Sequence, residues 1–350
     1  MGQEKAIISI IIPHWNGIEI LSDCLESLKK SNFKNFETIV VDNASTDGSQ
    51  DWVKENYPNI ILVEQKENRG YAGGCNKGTE HANGEYFLFL NNDTVQSPDW
   101  LNHLIKKMEN NSSIAAIQPK IINYFKRDLF DYAGGSGGHM DLFCYPFSRG
   151  RLFDHQEKDI GQYDSAVPCF WASGTAILVR KHLFDRVGGF DESFFAHMEE
   201  IDLCWRFNAM GYEVWVEPKA VVYHKNAVSL PMYTHRKYYL NHRNSLIMLL
   251  SNYSFPLAFY LGTIRIILDF IALFYSIIKV DLNHFTGVIR ALFWVFLHPQ
   301  IIFRRRKHFK SFRKSTDKVI LNKLYRGSVV IAYYLLRKKT YLDIKSRASW

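Results

Sequence analysis

At 350 residues the chain is long enough for one large domain or two ordinary ones. Its 47% hydrophobic and 22% charged content excludes an intrinsically disordered protein. The net charge of +8 is uneven: Phe303–Trp350 holds 15 Lys and Arg against 2 Asp and Glu, and the remainder holds 28 basic against 33 acidic residues. A mildly acidic body with a basic tail points to an anionic partner, and the tail's apolar neighbours favour a bilayer over nucleic acid.

The start, M-G-Q-E-K-A-I-I-S-I-I-I-P, reads as lacking a signal peptide, because its apolar run is short and ends at Pro13. The five cysteines, Cys24, Cys75, Cys144, Cys169 and Cys204, form no C-x-x-C pair and suit buried, reduced thiols.

Ile7–Pro13 is a β-branched apolar run and predicts a strand. Leu21, Cys24, Leu25 and Leu28 then mark one face of a helix. Phe36–Asp42, Ile60–Glu64 and Glu85–Asn91 predict three more strands, and Leu101, Leu104, Ile105 and Met108 a further helix face. Apolar strands separated by helices imply a parallel sheet covered on both faces. Tyr132–Asp164, rich in glycine and aromatic residues without a period, reads as a long loop-rich insertion beside a binding site. Its G-G-S-G-G matches G-x-S-x-G but lacks the flanking strand and helix that a nucleophile elbow needs. Phe170–Arg180 and Val214–His224 predict two later strands.

Beyond Tyr238 the character changes. Phe255–Val280 is long and apolar, broken by Arg265 and Asp269, and Phe285–Phe303 is a second such stretch, interrupted by Arg290 and Pro299. Neither is a clean span of about 20 apolar residues. Both suit helices in a membrane interface, followed by the cluster Arg304–Lys307; a buried helical subdomain is the competing reading.

Polar groups gather where strands of an α/β sheet end, the usual place for ligands. Pro13, His14 and Asn16 follow the first strand, Asp42 and Asn43 the second, and Asn91, Asn92 and Asp93 the fourth. One strand-end Asp serves as a turn former; three in one sheet point to a nucleotide site. Asp42 suits the ring N–H of a pyrimidine, with turn chemistry alongside Thr46 and Asp47 as the competitor. Glu67–Gly78 is glycine-rich and carries Arg69 and Lys77, which can grip phosphate, although no Walker A or G-x-G-x-x-G pattern is present. Asp93 is the natural ligand for Mg2+ or Mn2+, and His224 can complete the shell. In Phe194–Arg206, three carboxylates, Glu199, Glu200 and Asp202, crowd one helix mouth, a pattern suited to a general base.

The ordered set I-I-P-H-W-N, V-V-D-N-A-S-T-D-G-S, N-R-G-Y-A-G-G-C-N-K-G, F-L-N-N-D, W-A-S-G-T-A-I-L-V-R, G-G-F-D-E-S-F-F-A-H-M-E-E-I-D-L-C-W-R and V-Y-H resembles glycosyltransferase family 2, over about Ala6–Asn244. Within it the chain looks most like the bacterial rhamnosyltransferase-like group, which the stretch Y-Y-L-N-H-R-N-S also resembles. The resemblance implies a GT-A type, Rossmann-like mixed α/β sheet with helices on both faces. It implies a catalytic domain over residues 1–240, with a nucleotide-binding half to about 125 and an acceptor-binding half from 126. Residues 241–350 then form a helical, basic, membrane-associating region. Pro13, Asn16 and Asp42 would line the nucleoside pocket, with Arg69 and Gly70 near the nucleotide. Asn91, Asn92 and Asp93 would occupy the D-x-D motif, with Asp93 and His224 on a Mn2+ or Mg2+ ion. Trp171, Ser173 and Gly174 would lie around the sugar. Glu200 would be the base, with Glu199 or Asp202 able to share its role. Two positions depart from the family pattern: Asn91 replaces the first D-x-D carboxylate, and Glu200 replaces the commoner Asp.

The implied activity is inverting transfer of a sugar, rhamnose among the candidates, from a dTDP- or UDP-sugar to a glycan or polyprenyl-linked saccharide. The implied location is the cytoplasmic side of the cell membrane, in polysaccharide synthesis. A sugar-phosphate nucleotidyltransferase is the alternative enzyme, but the first strand lacks its glycine-rich signature. A non-enzymatic membrane scaffold with a relic pocket would have no use for Asp93, Glu200 and His224 together. The absence of Q-x-x-R-W argues against a processive synthase.

Overall fold

The computed structural model describes residues 6–225 and 233–345; the first five residues, part of the start read for a signal peptide, and the last five of the basic tail lie outside them. The chain opens with β1 (Ile8–His14), α1 (Ile18–Lys29), β2 (Phe36–Asp42), α2 (Ser49–Asn56), β3 (Ile61–Glu64), α3 (Gly70–Thr79), β4 (Tyr86–Leu90), β5 (Thr94–Gln96), α4 (Trp100–Glu109) and β6 (Ile114–Asn123). Four short strands follow, β7 (Gly138–Met140), β8 (Pro146–Ser148), β9 (Arg151–Leu152) and β10 (His155–Gln156). Then come β11 (Val167–Cys169), β12 (Ala176–Arg180), α5 (Lys181–Arg186), α6 (Glu199–Ala209) and β13 (Glu213–His224). Helices close the chain: α7 (His235–Asn252), α8 (Phe255–Lys279), α9 (Leu282–Leu297), α10 (Pro299–Phe312), α11 (Asp317–Leu321), α12 (Val329–Tyr334) and α13 (Tyr341–Lys345).

The main sheet has the order β11-β13-β6-β12-β4-β1-β2-β3, with β5 paired to β13. Strands β4, β1, β2 and β3 are mutually parallel, whereas β12 runs antiparallel between β4 and β6. The sheet is therefore mixed, not purely parallel. Side chains alternate across it. Ile8, Ile10 and Ile12 pack with Leu21, Leu25, Trp100 and Leu104 on one face. Ile11, Phe87 and Phe89 pack on the other with Trp205, Ile247, Tyr253 and Phe309, which come from α6, α7, the α7–α8 link and α10. Period-two alternation buries both faces because helices cover both. All five cysteines are buried and unpaired.

Three expected features take a different form. The glycine-rich Glu67–Gly78 is mostly helix α3. A Cβ on Gly78 would lie 2.4 Å from Ile11 Cγ2, so this glycine lets the helix sit close on the sheet. Tyr132–Asp164 carries a four-stranded antiparallel sheet, β10-β9-β8-β7, whose strands of two or three residues are too short to show a period. Phe170–Arg180 is not one strand. Residues 170–175 turn between β11 and β12, where Ser173 Oγ accepts from Thr175 N and breaks the extended run.

The apolar C-terminal stretches are helices. Helix α8 is long and apolar enough to cross a membrane; α9 and α10 bend by 71° at His298–Pro299, where proline opens a new helix. Helix α8 buries Leu261, Arg265, Asp269 and Leu273 and exposes Phe259, Phe270, Phe274, Ile277 and Ile278. Arg265 Nε donates to Asp269 Oδ1 (3.1 Å), while its other nitrogens donate to Phe143 O (2.7 Å) and Ser245 Oγ (2.9 Å). The i, i+4 pair thus stitches α8 to α7 and to the β7–β8 link.

Candidate active site

The parallel strands end in a row. His14 lies in register with Asp42, and the Asn91–Asp93 turn follows neighbouring β4. The Asp42 side chain is buried. Its Oδ2 accepts from Ser45 N (3.0 Å) and Gln50 Nε2 (2.8 Å), whereas Oδ1 has no hydrogen-bond partner. One oxygen therefore serves the turn and the other is an unmatched buried acceptor suited to an N–H donor. Asn16, at φ 56°, accepts from Thr46 N (2.8 Å) and donates its own N–H to Ser45 Oγ (2.9 Å), lacing the two strand-end loops together. Pro13 lies beneath α3, where a Cβ on Gly74 would come within 3.2 Å of it.

Asp93 and His224 meet because β5 pairs with β13, with Thr94 opposite His224. Both side chains are buried. His224 Nε2 lies 3.1 Å from Asp93 Oδ1, and its Nδ1 contacts Asp131 Oδ1 at 2.9 Å. Burial alone would depress the imidazole, but the two carboxylates hold its pKa well above the usual value. Burial pushes the Asp93 carboxyl up; the charge of His224 more than offsets this and leaves it lowered. Apart from this ion pair with His224, Asp93 Oδ1 has no partner despite its burial. An acceptor oxygen and a ring nitrogen converging on one point, with the ring fixed from behind by a carboxylate, fit a divalent cation. Among the described residues no group of three or more His, Cys, Asp or Glu gathers as a metal cluster. Asp93 and His224 are the two residues here that could hold such an ion, with the remaining positions left to substrate oxygens. Asn91 is tied through its backbone, its N–H to Thr175 O (2.9 Å) and its carbonyl to Thr94 Oγ1 (2.8 Å). Asn92 turns its amide to His14 Nδ1 (2.9 Å).

Helix α6 carries the acidic cluster. Glu199 and Glu200 each keep one buried oxygen, Oε2, without a partner. Desolvation, then the charge of Glu200, raises Glu199 well above the usual carboxyl range. Burial also raises Glu200, but backbone N–H groups, Gly174's among them, hold it to about 6. Burial thus favours the proton on Glu199 more strongly than on Glu200, whose backbone donors favour its charged form. Asp202 is different. Its Oδ2 accepts from Arg206 Nε (2.9 Å), and its Oδ1 accepts from Arg305 Nη2 (2.6 Å) and Asn252 Nδ2 (2.9 Å). A carboxylate engaged by two guanidinium groups is a brace for α6, so the geometry does not favour it as the base.

Residues 170–175 join the two ends of the site. Thr175 O accepts from Asn91 N, and Gly174 N–H reaches Glu200. Tyr71 Oη donates to Gly174 O (2.6 Å). Trp171 Nε1 donates to His139 O (2.7 Å), and Ser173 is held by Gln118 and Ala133, so both side chains support this turn from within. Arg69 ion-pairs with Glu192 (2.5 Å) at the rim. Gly70, at φ 71°, passes so close to Phe195 that a Cβ would lie 2.3 Å from its carbonyl oxygen.

Sequence reasoning did not find four participants. Asp131 stands just before the aperiodic stretch Tyr132–Asp164, in no motif. Arg305 lay in a cluster read as lipid-facing. Arg243 and Asn244 lay in Y-Y-L-N-H-R-N-S, whose R-N pair was a signal without a role.

Residues 9–172 match the family model described as Glycosyl transferase family 2. An uncharacterized glycosyltransferase of Rickettsia typhi is 28% identical over 204 residues, covering 57% of this chain and 58% of that protein, so the chain spans less than two thirds of that relative's length. An N-acetylglucosaminyl-diphospho-decaprenol L-rhamnosyltransferase of Mycobacterium tuberculosis is 26% identical over 221 residues, covering 57% of this chain and 70% of that one. Among solved structures, GalNAc-T7 with UDP, GalNAc and Mn2+ shares the fold, with a TM-score of 0.61 at 13% identity over 91% of this chain and 56% of that one. Over residues 9–172 this chain is thus similar to glycosyl transferase family 2, and the mixed sheet that frames that segment agrees with the fold of the GalNAc-T7 structure.

Proposed function

We propose that the chain is an inverting, metal-dependent glycosyltransferase. It moves a sugar, rhamnose first among the candidates, from a dTDP- or UDP-sugar to a polyprenyl-linked saccharide or glycan. The observation that carries this reading is the turn at 170–175, which ties an ionisable, half-buried Glu200 to the strand end bearing Asp93. The unmatched Asp42 Oδ1 supports a pyrimidine nucleotide, because it is free to accept a ring N–H. The Mycobacterium relative supports rhamnose and a lipid-linked acceptor through its name alone.

Glu200 takes the proton of the acceptor hydroxyl. The freed oxygen pair forms the new bond to the anomeric carbon as the bond from that carbon to the phosphate oxygen breaks, and that pair leaves with the nucleoside diphosphate. Asp93 and His224 would hold a Mn2+ or Mg2+ ion, whose charge would offset that of the departing diphosphate. Attack from the face opposite the leaving group inverts the anomeric centre, and no covalent enzyme intermediate forms.

The exposed apolar side of α8, continued by Phe293 and Phe296 of α9 and bordered by exposed Arg304 and Lys307, supports docking on an anionic membrane from the cytoplasmic side. Incubation of the purified chain with a panel of dTDP-, UDP- and GDP-sugars and Mn2+ tests the activity. Nucleoside diphosphate release from a dTDP- or UDP-sugar that EDTA abolishes is the expected result. No release from any donor, with or without a polyprenyl-diphosphate saccharide, would overturn it.

A further inference from the structure

The turn that delivers Glu200 departs from ordinary backbone where no glycine relieves it. Phe195, His197 and Met198 have φ of 64°, 67° and 74°. Left-handed backbone at three side-chain-bearing residues within four positions persists only where its surroundings over-determine it. Those surroundings come from α7. Asn244 Nδ2 donates to the carbonyls of Phe194 (3.1 Å), Ala196 (3.0 Å) and His197 (2.7 Å). Arg243 Nη2 donates to those of Ser193 (2.8 Å) and Phe194 (3.0 Å). Arg243 Nε donates to Asn244 Oδ1 (2.9 Å), which fixes the amide so that its N–H groups face the turn. The guanidinium itself lies 4.8 Å from the Trp294 ring of α9. From the opposite side, Ala72 N donates to Phe195 O (3.4 Å).

We infer that Arg243 and Asn244 are positioning residues that hold Glu200 for catalysis, an inference that rests on the base role proposed above. The carbonyls they gather, those of Ser193, Phe194, Ala196 and His197, flank the left-handed residues on both sides of Phe195. If any of these relaxes to ordinary φ, its peptide plane turns and α6 begins with a different rotation. The Glu200 carboxylate then leaves the Gly174 N–H. The pair thus sets the base's place relative to the sugar site while touching no substrate.

Asn244→Asp keeps the shape, removes the N–H donors and sets a carboxylate against three carbonyls. Arg243→Lys keeps the charge and removes the fork. Hydrogen exchange, read by mass spectrometry on the full chain, should show the amides of residues 195–200 exchanging at least about tenfold faster in Asn244→Asp, with β1–β4 unchanged. Transfer kcat should fall about 100-fold, as for a small misplacement of a reacting group, with donor KM within about twofold. Arg243→Lys should shift both readouts in the same direction by less, and it carries the test if Asn244→Asp does not fold. Unchanged exchange over 195–200 in both variants, exchange raised equally throughout the chain, or a KM that rises as far as kcat falls would overturn the inference. If the wild type transfers no sugar, the proposed activity fails, and the exchange experiment still decides whether the pair holds the turn.

Discussion

Glu200 and Glu199 make opposite predictions from adjacent positions. With a pKa of about 6, Glu200 is about 90% ionised at pH 7 and about 10% at pH 5, so turnover at saturating substrate should fall about tenfold between them. A carboxylate at the ordinary value of 4.5 would lose less than about a third of its ionised fraction over the same interval. Glu200→Gln should lower kcat by about 100- to 10,000-fold and leave nucleotide affinity in place. Glu199→Gln replaces the acid on which burial favours the proton, so kcat should stay within about threefold. Its stability should change with pH. The folded-state pKa of Glu199 lies above the unfolded value, so the wild type binds this proton more tightly when folded and loses stability as pH rises through that interval. Glu199→Gln removes the loss and should raise the thermal midpoint at pH 7 more than at pH 4. The assay is nucleoside diphosphate release against pH, paired with thermal unfolding of each variant. A wild-type profile flat from pH 5 to 7, or a Glu199→Gln variant as inactive as Glu200→Gln, would refute the division of roles.

Calorimetric titration of UDP with Mn2+ should lose its metal-dependent component in Asp93→Ala and His224→Ala. In Asp131→Asn, where the carboxylate behind the His224 ring becomes an amide, metal affinity should weaken about 10- to 100-fold. Arg305→Ala strips a guanidinium from buried Asp202 and from Asp191, and urea unfolding should report a loss of about 3–5 kcal/mol; a loss below about 1 kcal/mol would remove this ion pair from the account. Arg304→Gln with Lys307→Gln, both exposed, should weaken sedimentation with anionic vesicles by roughly 1 kcal/mol per charge and leave unfolding unchanged.

The parts of the site written in local sequence were legible. Apolar runs ending in Asp42 and Asn91–Asp93 declared both the strands and the polar row at their ends. Crowded acids on α6 pointed to a candidate site helix, and the family resemblance chose among them. What local sequence does not carry is contact across distance. Asn244 meets the turn through backbone carbonyls about 50 residues away, and carbonyls have no residue identity to read. Asp131 reaches His224 only after β6 and β13 pair. Arg305 stands in a basic run whose neighbours Arg304 and Lys307 do face solvent, and only the helical rotation of α10 separates it from them.

The burial of all five thiols makes the chain its own reporter of opening. Cys24 lies in α1, Cys75 in α3, Cys144 between β7 and β8, Cys169 at the end of β11, and Cys204 in α6, four residues beyond Glu200. Burial raises the pKa of each, so both access and ionisation suppress alkylation in the closed state. The modification rate at each thiol therefore measures the free energy of exposing that one region. A single labelling time course, resolved peptide by peptide, ranks α1 and α3, the small sheet and α6 by local stability without any engineered probe.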